Sequence, residues 1–361
     1  MDAATELQLM EHPDSTEEIP VIDIADYLAG KPGARERIGQ QLREVSETVG
    51  FFYLIGHGIE QAQFDRIFGA SRALHTSSLE QRRTIAKPSR RSPGYDARED
   101  KVFLGGVAPP TLNSSFTLQR ERPADDPKYA LQDPFYQRNR WPDWLPGFKE
   151  TVIDYRSTIG ALGQKMMPLW ATALGVAPDY FDDWFSDPYM PMSLLHYPHQ
   201  DVVGNNQYGI QPHTDNSLMT FLAQGDMPGL AVQMPSGRWR IAEVLPGSLL
   251  INSGNTMVRL SNGRFKSTKH VVRNTTGRDR YSIPVFFGCD LPIVIEALPP
   301  FVTAENPVQY PPIVYRELME WYLYKRGNFA KSAGPDVKGE GFWVAGTTTN
   351  GHTETDGDSY A

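Results

Sequence analysis

The chain has 361 residues, of which 35 are basic and 43 acidic, so its formal net charge is −8. This acidic balance argues against a nucleic-acid partner, which needs a concentrated basic face. No stretch approaches the about 18 consecutive apolar residues of a membrane span. The polar start, Met1 to Ser15, shows no apolar core of a secretory signal, and the single Cys289 cannot form an intrachain disulfide. We therefore expect a cytoplasmic protein that neither crosses a membrane nor binds nucleic acid.

Helices dominate the predictions for the first half of the chain. Residues 1–18 are rich in Glu, Asp, Ser and Thr and are predicted to be disordered. Apolar spacing predicts helices at 38–49, 61–74 and 148–174, and short extended segments at 19–24 and 51–55. Pro, Gly, Asn and Asp interrupt every period over 87–147, which predicts a long loop with little regular structure. Such a long loop in a compact domain is typically functional or disordered, and we expect it on the substrate side.

Short strand-like runs follow one another after residue 190. They cover 192–197, 217–223, 229–234, 238–243, 248–252, 256–260, 268–273 and 280–287, with Gly, Pro, Asn and Ser turns between them. Short strands with regular turns predict a sandwich, a jelly roll or a barrel. A closing helix is predicted at 314–324, and residues 331–361 are predicted to form a flexible tail. The chain is thus expected to be mainly β with flanking helices, with a helical region at 19–180 and a β core at 181–330.

His213, Asp215 and His270 are the candidate metal ligands of the β core. In an extended segment residues i and i+2 point to the same side, so His213 and Asp215 could face one metal ion. His270 lies in another predicted strand, and two histidines with one carboxylate form the facial triad of non-haem Fe(II) oxygenases, which leaves coordination positions open. Taken alone, His-Thr-Asp is more typical of a surface turn or a helix N-cap than of a metal site, and a single strand histidine is more often a core residue than a ligand.

A candidate anion site follows in the predicted strand 280–287. Alternation places Arg280 and Ser282 on one face of this strand. An inward arginine is costly unless it meets an anion. Its guanidinium group matches a carboxylate with two hydrogen bonds, and the serine hydroxyl could add a third. An anion site beside a metal triad favours an enzyme over a protein with a structural metal.

With these residues the chain resembles the Fe(II)/2-oxoglutarate-dependent dioxygenases related to isopenicillin N synthase, which include plant and microbial natural-product oxygenases. The resemblance covers about residues 19–325. Further matches in order are Ile19-Pro20-Val21-Ile22-Asp23, Gly50-Phe51-Phe52, Gly56-His57-Gly58, Tyr197-Pro198, Gly229-Leu230, Trp239, Pro246-Gly247, Asn252 and Ser261-Asn262-Gly263. The chain departs from the family at Leu195, where Asn is frequent, at Asn255, where Asp is common, and at Val271, where Arg is usual.

The resemblance implies a double-stranded β-helix (jelly-roll) core with a metal between its two sheets. It implies that His213, Asp215 and His270 hold Fe(II). It also implies that Arg280 and Ser282, helped by Tyr197, bind the distal carboxylate of 2-oxoglutarate. Dioxygen would be the second cosubstrate, with ascorbate as a candidate reductant. The implied reaction is hydroxylation, desaturation or ring closure at an unactivated C–H bond, with release of succinate and carbon dioxide.

The implied partner is a small-molecule substrate. Aromatic residues near the predicted site favour an apolar molecule of natural-product size. The candidate substrate residues are Tyr95, Asn113, Ser115, Phe116, Leu218, Phe287 and Tyr324. The acidic surface is compatible with a monomer or a homodimer.

Three alternatives stay open. An oxidase of the isopenicillin N synthase type uses no 2-oxoglutarate, and there Arg280 and Ser282 would grip the substrate's own carboxylate. A jelly-roll binding protein with a structural metal would not need an anion site. A zinc hydrolase could also use two histidines and one carboxylate, but it gives the anion site no role. Stoichiometric succinate formation separates the oxidase from the 2-oxoglutarate enzyme.

Overall fold

The computed structural model describes residues 17–89, 92–100, 111–199 and 208–326, with only the backbone described for 323–326. The predicted disorder of 1–18 and the predicted tail 331–361 therefore lie, apart from Glu17 and Glu18, outside the described residues. None of the described helices is both long and apolar enough to span a membrane.

The helices are mostly those that apolar spacing predicts. They are α1 (Ala25–Leu28), α2 (Ala34–Thr48), α3 (Gln61–Thr76), α4 (Leu79–Thr84), α5 (Phe148–Leu174), α6 (Asn255–Leu260) and α7 (Tyr315–Arg326), with 3-10 turns at Arg98–Asp100, Pro127–Leu131, Asp182–Trp184 and Pro299–Phe301. In α2 the helical spacing of Ile38, Leu42 and Val45 produces one buried face. That face packs closely on α5, because a Cβ at Gly39 would lie only 2.6 Å from Thr172 Cγ2.

The strands form two main sheets and one short ribbon. They are β1 (Val21–Asp23), β2 (Phe51–Ile55), β3 (Gly94–Asp96), β4 (Ser114–Leu118), β5 (Met192–Tyr197), β6 (Ile210–His213), β7 (Met219–Ala223), β8 (Leu230–Gln233), β9 (Trp239–Ile241), β10 (Leu249–Ser253), β11 (His270–Val272), β12 (Arg280–Phe287), β13 (Val294–Ile295) and β14 (Ile313–Val314). The large sheet has the order β1-β2-β10-β7-β12-β5-β4-β3, the small sheet β6-β11-β8-β9, and the ribbon β13-β14. The chain crosses between the two main sheets repeatedly from β5 to β12, and this is the expected jelly roll.

The large sheet has one face covered by helices and one inner face directed at the small sheet. On β12, strand alternation places Phe287 on the helix-covered face, where its ring leaves no room for a side chain at Gly163 of α5. Arg280 lies on the inner face by the same alternation. The inner face meets the small sheet, since the Phe51 ring of β2 lies 5.2 Å from the ring of His270 on β11.

The prediction of a strand at 256–260 is wrong. These residues belong to the helix α6, which follows Gly254. Thr256, Met257, Val258 and Leu260 are all buried, so the segment shows no alternation of apolar and polar residues. A short apolar run does not distinguish a buried helix from a buried strand.

The prediction of a long loop at 87–147 is wrong in part. Strands β3 and β4 lie within it and extend the large sheet beyond β5. They contain three and five residues and are bounded by Gly and Asn, so their alternation is too short to stand out from the surrounding turn residues. This extension enlarges the inner face on the side of the sheet away from β1.

Candidate active site

Strand pairing in the small sheet brings the three candidate metal ligands together. His213 ends β6 and is paired directly with His270, the first residue of β11. Asp215 lies two residues beyond β6, in the loop before β7, rather than in the extended segment that the sequence predicts. Its Oδ1 atom is 3.8 Å from Nε2 of each histidine. One nitrogen or oxygen of each residue lies within 4.8 Å of the others, a spacing that suits one metal ion.

Backbone carbonyls orient the two imidazole rings. Nδ1 of His213 lies 2.7 Å from the carbonyl oxygen of Gln211, and Nδ1 of His270 lies 3.1 Å from that of Thr268. A proton on each Nδ1 donates to the carbonyl, and this leaves Nε2, 3.8 Å from Asp215 Oδ1 in each residue, as the nitrogen that can bind a metal. Ligating histidines in metalloproteins are typically fixed in this way.

The Asp215 carboxylate is held from the large sheet. Its Oδ2 accepts hydrogen bonds from Thr220 Oγ1 at 2.6 Å and Asn252 Nδ2 at 2.9 Å, so Oδ1 is the oxygen that faces the histidines. Burial would raise the pKa of the Asp215 carboxyl, but the two histidines and these hydrogen bonds hold it below its usual value. The group is therefore an anion, as a metal ligand must be. Thr220 is not among the site residues predicted from the sequence, although alternation along β7 places its side chain on the face that is directed at the metal ligands.

The start of α6 fixes the loop that carries Asp215. The Asn255 amide N–H donates to the carbonyl oxygen of Asp215 at 2.7 Å, and Asn255 Nδ2 donates to Asn216 Oδ1 at 2.7 Å. Gly254 is required at this contact, because a Cβ there would collide with the carbonyl of Ser217. The departure from the family at Asn255 thus leaves a residue that still positions the metal loop.

Arg280 and Tyr197 form a buried polar site on the inner face of the large sheet. They are paired directly between β12 and β5, and the guanidinium carbon lies 4.9 Å from the centre of the tyrosine ring. Arg280 Nε donates to the carbonyl of Met227 at 3.2 Å. Both terminal nitrogens of Arg280 and the Tyr197 hydroxyl have no hydrogen-bond partner among the described residues, although all three atoms are buried.

An anion fits this site because it would satisfy all three buried groups. Burial lowers the pKa of Arg280 from its very high ordinary value and raises the pKa of Tyr197, so the site holds a cation and a neutral phenol. The Ser282 hydroxyl lies beside the phenol. A carboxylate that accepts two hydrogen bonds from Arg280 and others from the hydroxyls compensates the cost of burying these donors.

Two glycines allow the backbone to approach this site closely. A Cβ at Gly229 would lie 2.8 Å from Arg280 Cδ, and the φ angle of Gly229, +151°, is one that other residues rarely adopt. A Cβ at Gly209 would lie 2.6 Å from Tyr197 Cδ1. The positions of Arg280 and Tyr197 therefore depend on the absence of side chains at both residues.

Two of the predicted substrate residues lie on the inner face, and two others are not assigned to a face. Ser115 is on the inner face, since it pairs with Leu195, which lies on the same side of β5 as Tyr197. Asn113 has the same parity and donates to the carbonyl of Gly209 at 2.6 Å. Leu218 is fully buried just before β7. Tyr324 lies in α7, but its side chain is outside the described residues.

The other three predicted substrate residues lie on the helix-covered face and do not line the inner cleft. Tyr95 contacts the ring of His75 on α3, with 5.4 Å between the ring centres. Phe116 contacts Phe148 at the start of α5, with 5.6 Å between the ring centres. Phe287 contacts α5 as described above. These expectations are corrected by strand parity, because a shift of one residue moves a side chain to the opposite face.

Phe286 is the aromatic residue of β12 that faces inward. It pairs directly with Thr220, whose hydroxyl holds Asp215. Its side chain is half-buried, whereas that of Phe287 is fully buried. The sequence could have predicted this residue, because strand alternation places Phe286 on the same face as Arg280 and Ser282.

Comparison with known proteins agrees with this geometry. Residues 19–144 match the family model described as non-haem dioxygenase in morphine synthesis N-terminal, and residues 189–288 match the 2OG-Fe(II) oxygenase superfamily. The chain is 31% identical over 322 residues to the 2-oxoglutarate-Fe(II) type oxidoreductase hxnY of Emericella nidulans, covering 87% of this chain and 90% of that protein. It is 32% identical over 283 residues to the 2-oxoglutarate-dependent dioxygenase citB of Monascus ruber, covering 76% and 85%.

A solved structure shares the fold over most of its length. A full-length Neurospora crassa protein, crystallised in complex with alpha-KG and thymine, matches with a TM-score of 0.75 and 26% identity, covering 84% of this chain and 96% of that one. Sequence, fold and the arrangement of candidate ligands thus agree on one assignment. The chain belongs to the 2OG-Fe(II) oxygenase superfamily and is a 2-oxoglutarate-dependent dioxygenase, with iron and 2-oxoglutarate as its cofactors.

Proposed function

We propose that this enzyme oxidises an unactivated C–H bond of a small molecule by hydroxylation, desaturation or ring closure, with release of succinate and carbon dioxide. In this proposal His213, Asp215 and His270 hold Fe(II). The observation that carries it is the buried Arg280 head, which has unsatisfied donors and lies on the same inner face as the residues that hold Asp215. A metal site and an anion site on one cleft suit a cosubstrate that chelates iron at one end and carries a carboxylate at the other.

Arg280, Ser282 and Tyr197 bind the distal carboxylate of 2-oxoglutarate in this proposal. The guanidinium group donates two hydrogen bonds in the plane of the carboxylate, and the hydroxyls of Ser282 and Tyr197 complete its shell. Met227 and Gly229 keep the arginine side chain in place. Iron with bound 2-oxoglutarate supplies the oxidising power drawn from dioxygen.

The protein itself orients the reactants and excludes water. Thr220 and Asn252 keep Asp215 Oδ2 occupied, so only Oδ1 is presented to the metal. Phe286 provides an apolar surface beside this group, against which a substrate can pack close to the metal. Substrate binding against this surface holds the C–H bond that is to be oxidised in the correct orientation toward the metal, which lowers the barrier of the reaction.

A natural-product-like substrate, a cytoplasmic location and a state of monomer or homodimer remain predictions from the sequence. The Neurospora crassa structure contains thymine, which supports a small-molecule substrate for this chain as well.

The test is an anaerobic titration of the protein with Fe(II) and 2-oxoglutarate, read by the visible metal-to-ligand charge-transfer band. We expect a band in the wild type, no band in His213→Ala, and a band in Arg280→Ala that needs a much higher 2-oxoglutarate concentration. Arg264→Ala is the matched control, since its side chain is 54% exposed and pairs with Glu47 on the surface.

Bound iron without a band in the wild type would contradict the use of 2-oxoglutarate and favour the oxidase, in which Arg280 grips the substrate's carboxylate. Succinate formed in proportion to oxidised product supports the proposal under aerobic conditions.

A further inference from the structure

The inner face of the large sheet continues from the anion site to the edge of the sheet. Direct strand pairs lead from Ser282 on β12 to Leu195 on β5, then to Ser115 on β4 and Asp96 on β3. Strands lie about 4.8 Å apart, so Asp96 is about 14 Å from Ser282 along this row. The inner face therefore continues for about 14 Å beyond the anion site.

Apart from Leu195, the side chains on this part of the inner face are polar. Thr117 and Ser193 pair directly, and their hydroxyl oxygens are 3.1 Å apart. Lys87 extends the row beyond Asp96: the parallel bridge between Ala86 and Tyr95 turns Lys87 to the inner face, and Lys87 Nζ lies 2.9 Å from Asp96 Oδ2. We call the inner-face residues Lys87, Asp96, Ser115, Thr117 and Ser193 the polar wall.

The polar wall is largely shielded from solvent. Ser115 and Ser193 are each 9% exposed, and the side chains of Lys87 and Asp96 are 16% and 31% exposed. β3 and β4 extend the large sheet beyond β5, so these side chains are shielded although they lie on the last strands of the sheet. Shielded polar groups cost free energy unless they find hydrogen-bond partners. A surface that merely faced water would be exposed.

The chemistry of the polar wall selects a class of ligand. The hydroxyls of Thr117 and Ser193, bonded to each other, still offer one donor and several acceptor lone pairs. Lys87 and Asp96 pair with each other, so the wall carries no net charge. An ionised ligand would have to break this ion pair or leave its own charge without a partner. A hydrocarbon would leave the remaining hydroxyl donor of this pair without an acceptor.

We propose that the substrate is an uncharged ring compound with a hydrogen-bonding edge, and that Thr117 and Ser193 determine this specificity. The inference rests on the proposed function, because it places the reactive carbon of this compound at the metal and its ring beside Phe286. The polar edge then points along the inner face to the hydroxyl pair. This class differs from the apolar substrate that the sequence predicts, and the probes below separate the two.

The test uses four probes that share one ring: benzamide, benzoate, benzylamine and toluene. Their binding to the anaerobic full-length protein with Fe(II) and 2-oxoglutarate is measured by ligand-observed NMR and by the change in the charge-transfer band. We expect benzamide to bind at least about fivefold more tightly than the other three, as one added hydrogen bond predicts. Thr117→Val with Ser193→Ala should remove this preference without changing the affinity for 2-oxoglutarate.

Ser114→Ala is the matched control, since Ser114 lies on the same strand but accepts a hydrogen bond from the Arg98 amide on the other face. The inference is overturned if toluene or a charged probe binds as tightly as benzamide, if no probe binds, or if the double variant keeps the preference. The failure of the proposed function looks different, because the wild type then shows no charge-transfer band before any probe is added.

Discussion

Arg280 and Tyr197 face each other on paired strands, 4.9 Å from guanidinium carbon to ring centre, and the two terminal nitrogens of Arg280 and the Tyr197 hydroxyl have no hydrogen-bond partner among the described residues. A side chain that is fully buried and still keeps free donors is arranged for a ligand rather than for stability. Three predictions follow from this pair and the metal cluster, a fourth from the two faces of β12, and a fifth from the buried carboxylate of Asp187.

Arg280→Lys should weaken 2-oxoglutarate binding by about tenfold or more, because an ammonium group cannot form the planar pair of hydrogen bonds that a guanidinium forms. The measurement is a 2-oxoglutarate titration of the anaerobic charge-transfer band at saturating Fe(II). Iron affinity should not change, since Arg280 makes no contact with the metal ligands. An equal loss of iron affinity would show that Arg280 supports the fold instead.

Gly209→Ala should displace the Tyr197 ring, because the new methyl group would lie 2.6 Å from Cδ1. Overpacking of this kind costs about 1–3 kcal/mol of unfolding free energy, and we expect weaker 2-oxoglutarate binding with it. Urea unfolding and the same titration measure both effects. Gly69→Ala is the control, since a Cβ there meets nothing within 4 Å and Gly69 lies within a helix. Unchanged behaviour of Gly209→Ala would contradict the close approach.

Thr220→Val should weaken Fe(II) binding by about 10- to 100-fold, because it removes the hydrogen bond that keeps Asp215 Oδ2 occupied. The change preserves the shape of the side chain but takes one hydrogen bond from the buried Asp215 carboxylate, so the metal-free protein should lose about 1–3 kcal/mol of unfolding free energy as well. Anaerobic Fe(II) titration gives the affinity, and thermal unfolding of the metal-free protein gives the stability. If iron binds normally, the orientation of Asp215 is set by Asn252 and the loop alone.

Phe286→Ala should mainly weaken substrate binding, whereas Phe287→Ala should mainly lower the stability of the fold. Phe287 is fully buried and packs on Phe221 and Phe185, so its truncation should cost about 3–5 kcal/mol of unfolding free energy. Phe286 is half-buried, and its loss should mainly raise the KM for the substrate. Urea unfolding of both variants, with succinate formation for Phe286→Ala, checks this. A reversed pattern would mean that the faces of β12 are assigned wrongly.

Asp187 should contribute stability that depends on pH. Burial would raise the pKa of its carboxyl, but hydrogen bonds from Lys128 and Arg122 hold it below the ordinary value. A carboxyl with a lowered folded-state pKa stabilises the protein above its unfolded pKa of about 3.9, and this contribution disappears as the pH falls through the folded value. Asp187→Asn should therefore cost about 1–3 kcal/mol at pH 6 and much less below pH 4.

Urea unfolding between pH 3 and pH 6 measures this difference, with Asp182→Asn as the exposed control. A difference between wild type and Asp187→Asn that stays constant down to pH 3 would contradict the lowered pKa.

The sequence was sufficient to predict the jelly roll and the residues that the structure brings together at the metal. Those residues stand in or beside short, well-bounded strands, where alternation and turns give a clear signal. His213 and His270 are 57 positions apart in the sequence, and their direct strand pairing is visible only in the structure. From the sequence they are linked only by the family's pattern of metal ligands.

The substrate side cannot be predicted in the same way. Strands β3 and β4 are short and interrupted by turn residues, so their parity is not visible in the sequence, and the prediction puts Tyr95 and Phe116 on the wrong face. Residues such as Thr220 and Asn255 act through contacts with Asp215 and its loop that depend on tertiary structure, and no local pattern marks them.

The two halves of the metal environment come from different layers of the fold. His213 and His270 belong to the small sheet, whereas Thr220 and Asn252, which hold Asp215, belong to the large sheet. An ion bound here therefore cross-links two layers that otherwise meet through side-chain packing. The free energy of ion binding therefore adds to the free energy that stabilises the packing of the two sheets. Loss of iron would then weaken the packing between the two sheets in addition to removing the oxidation.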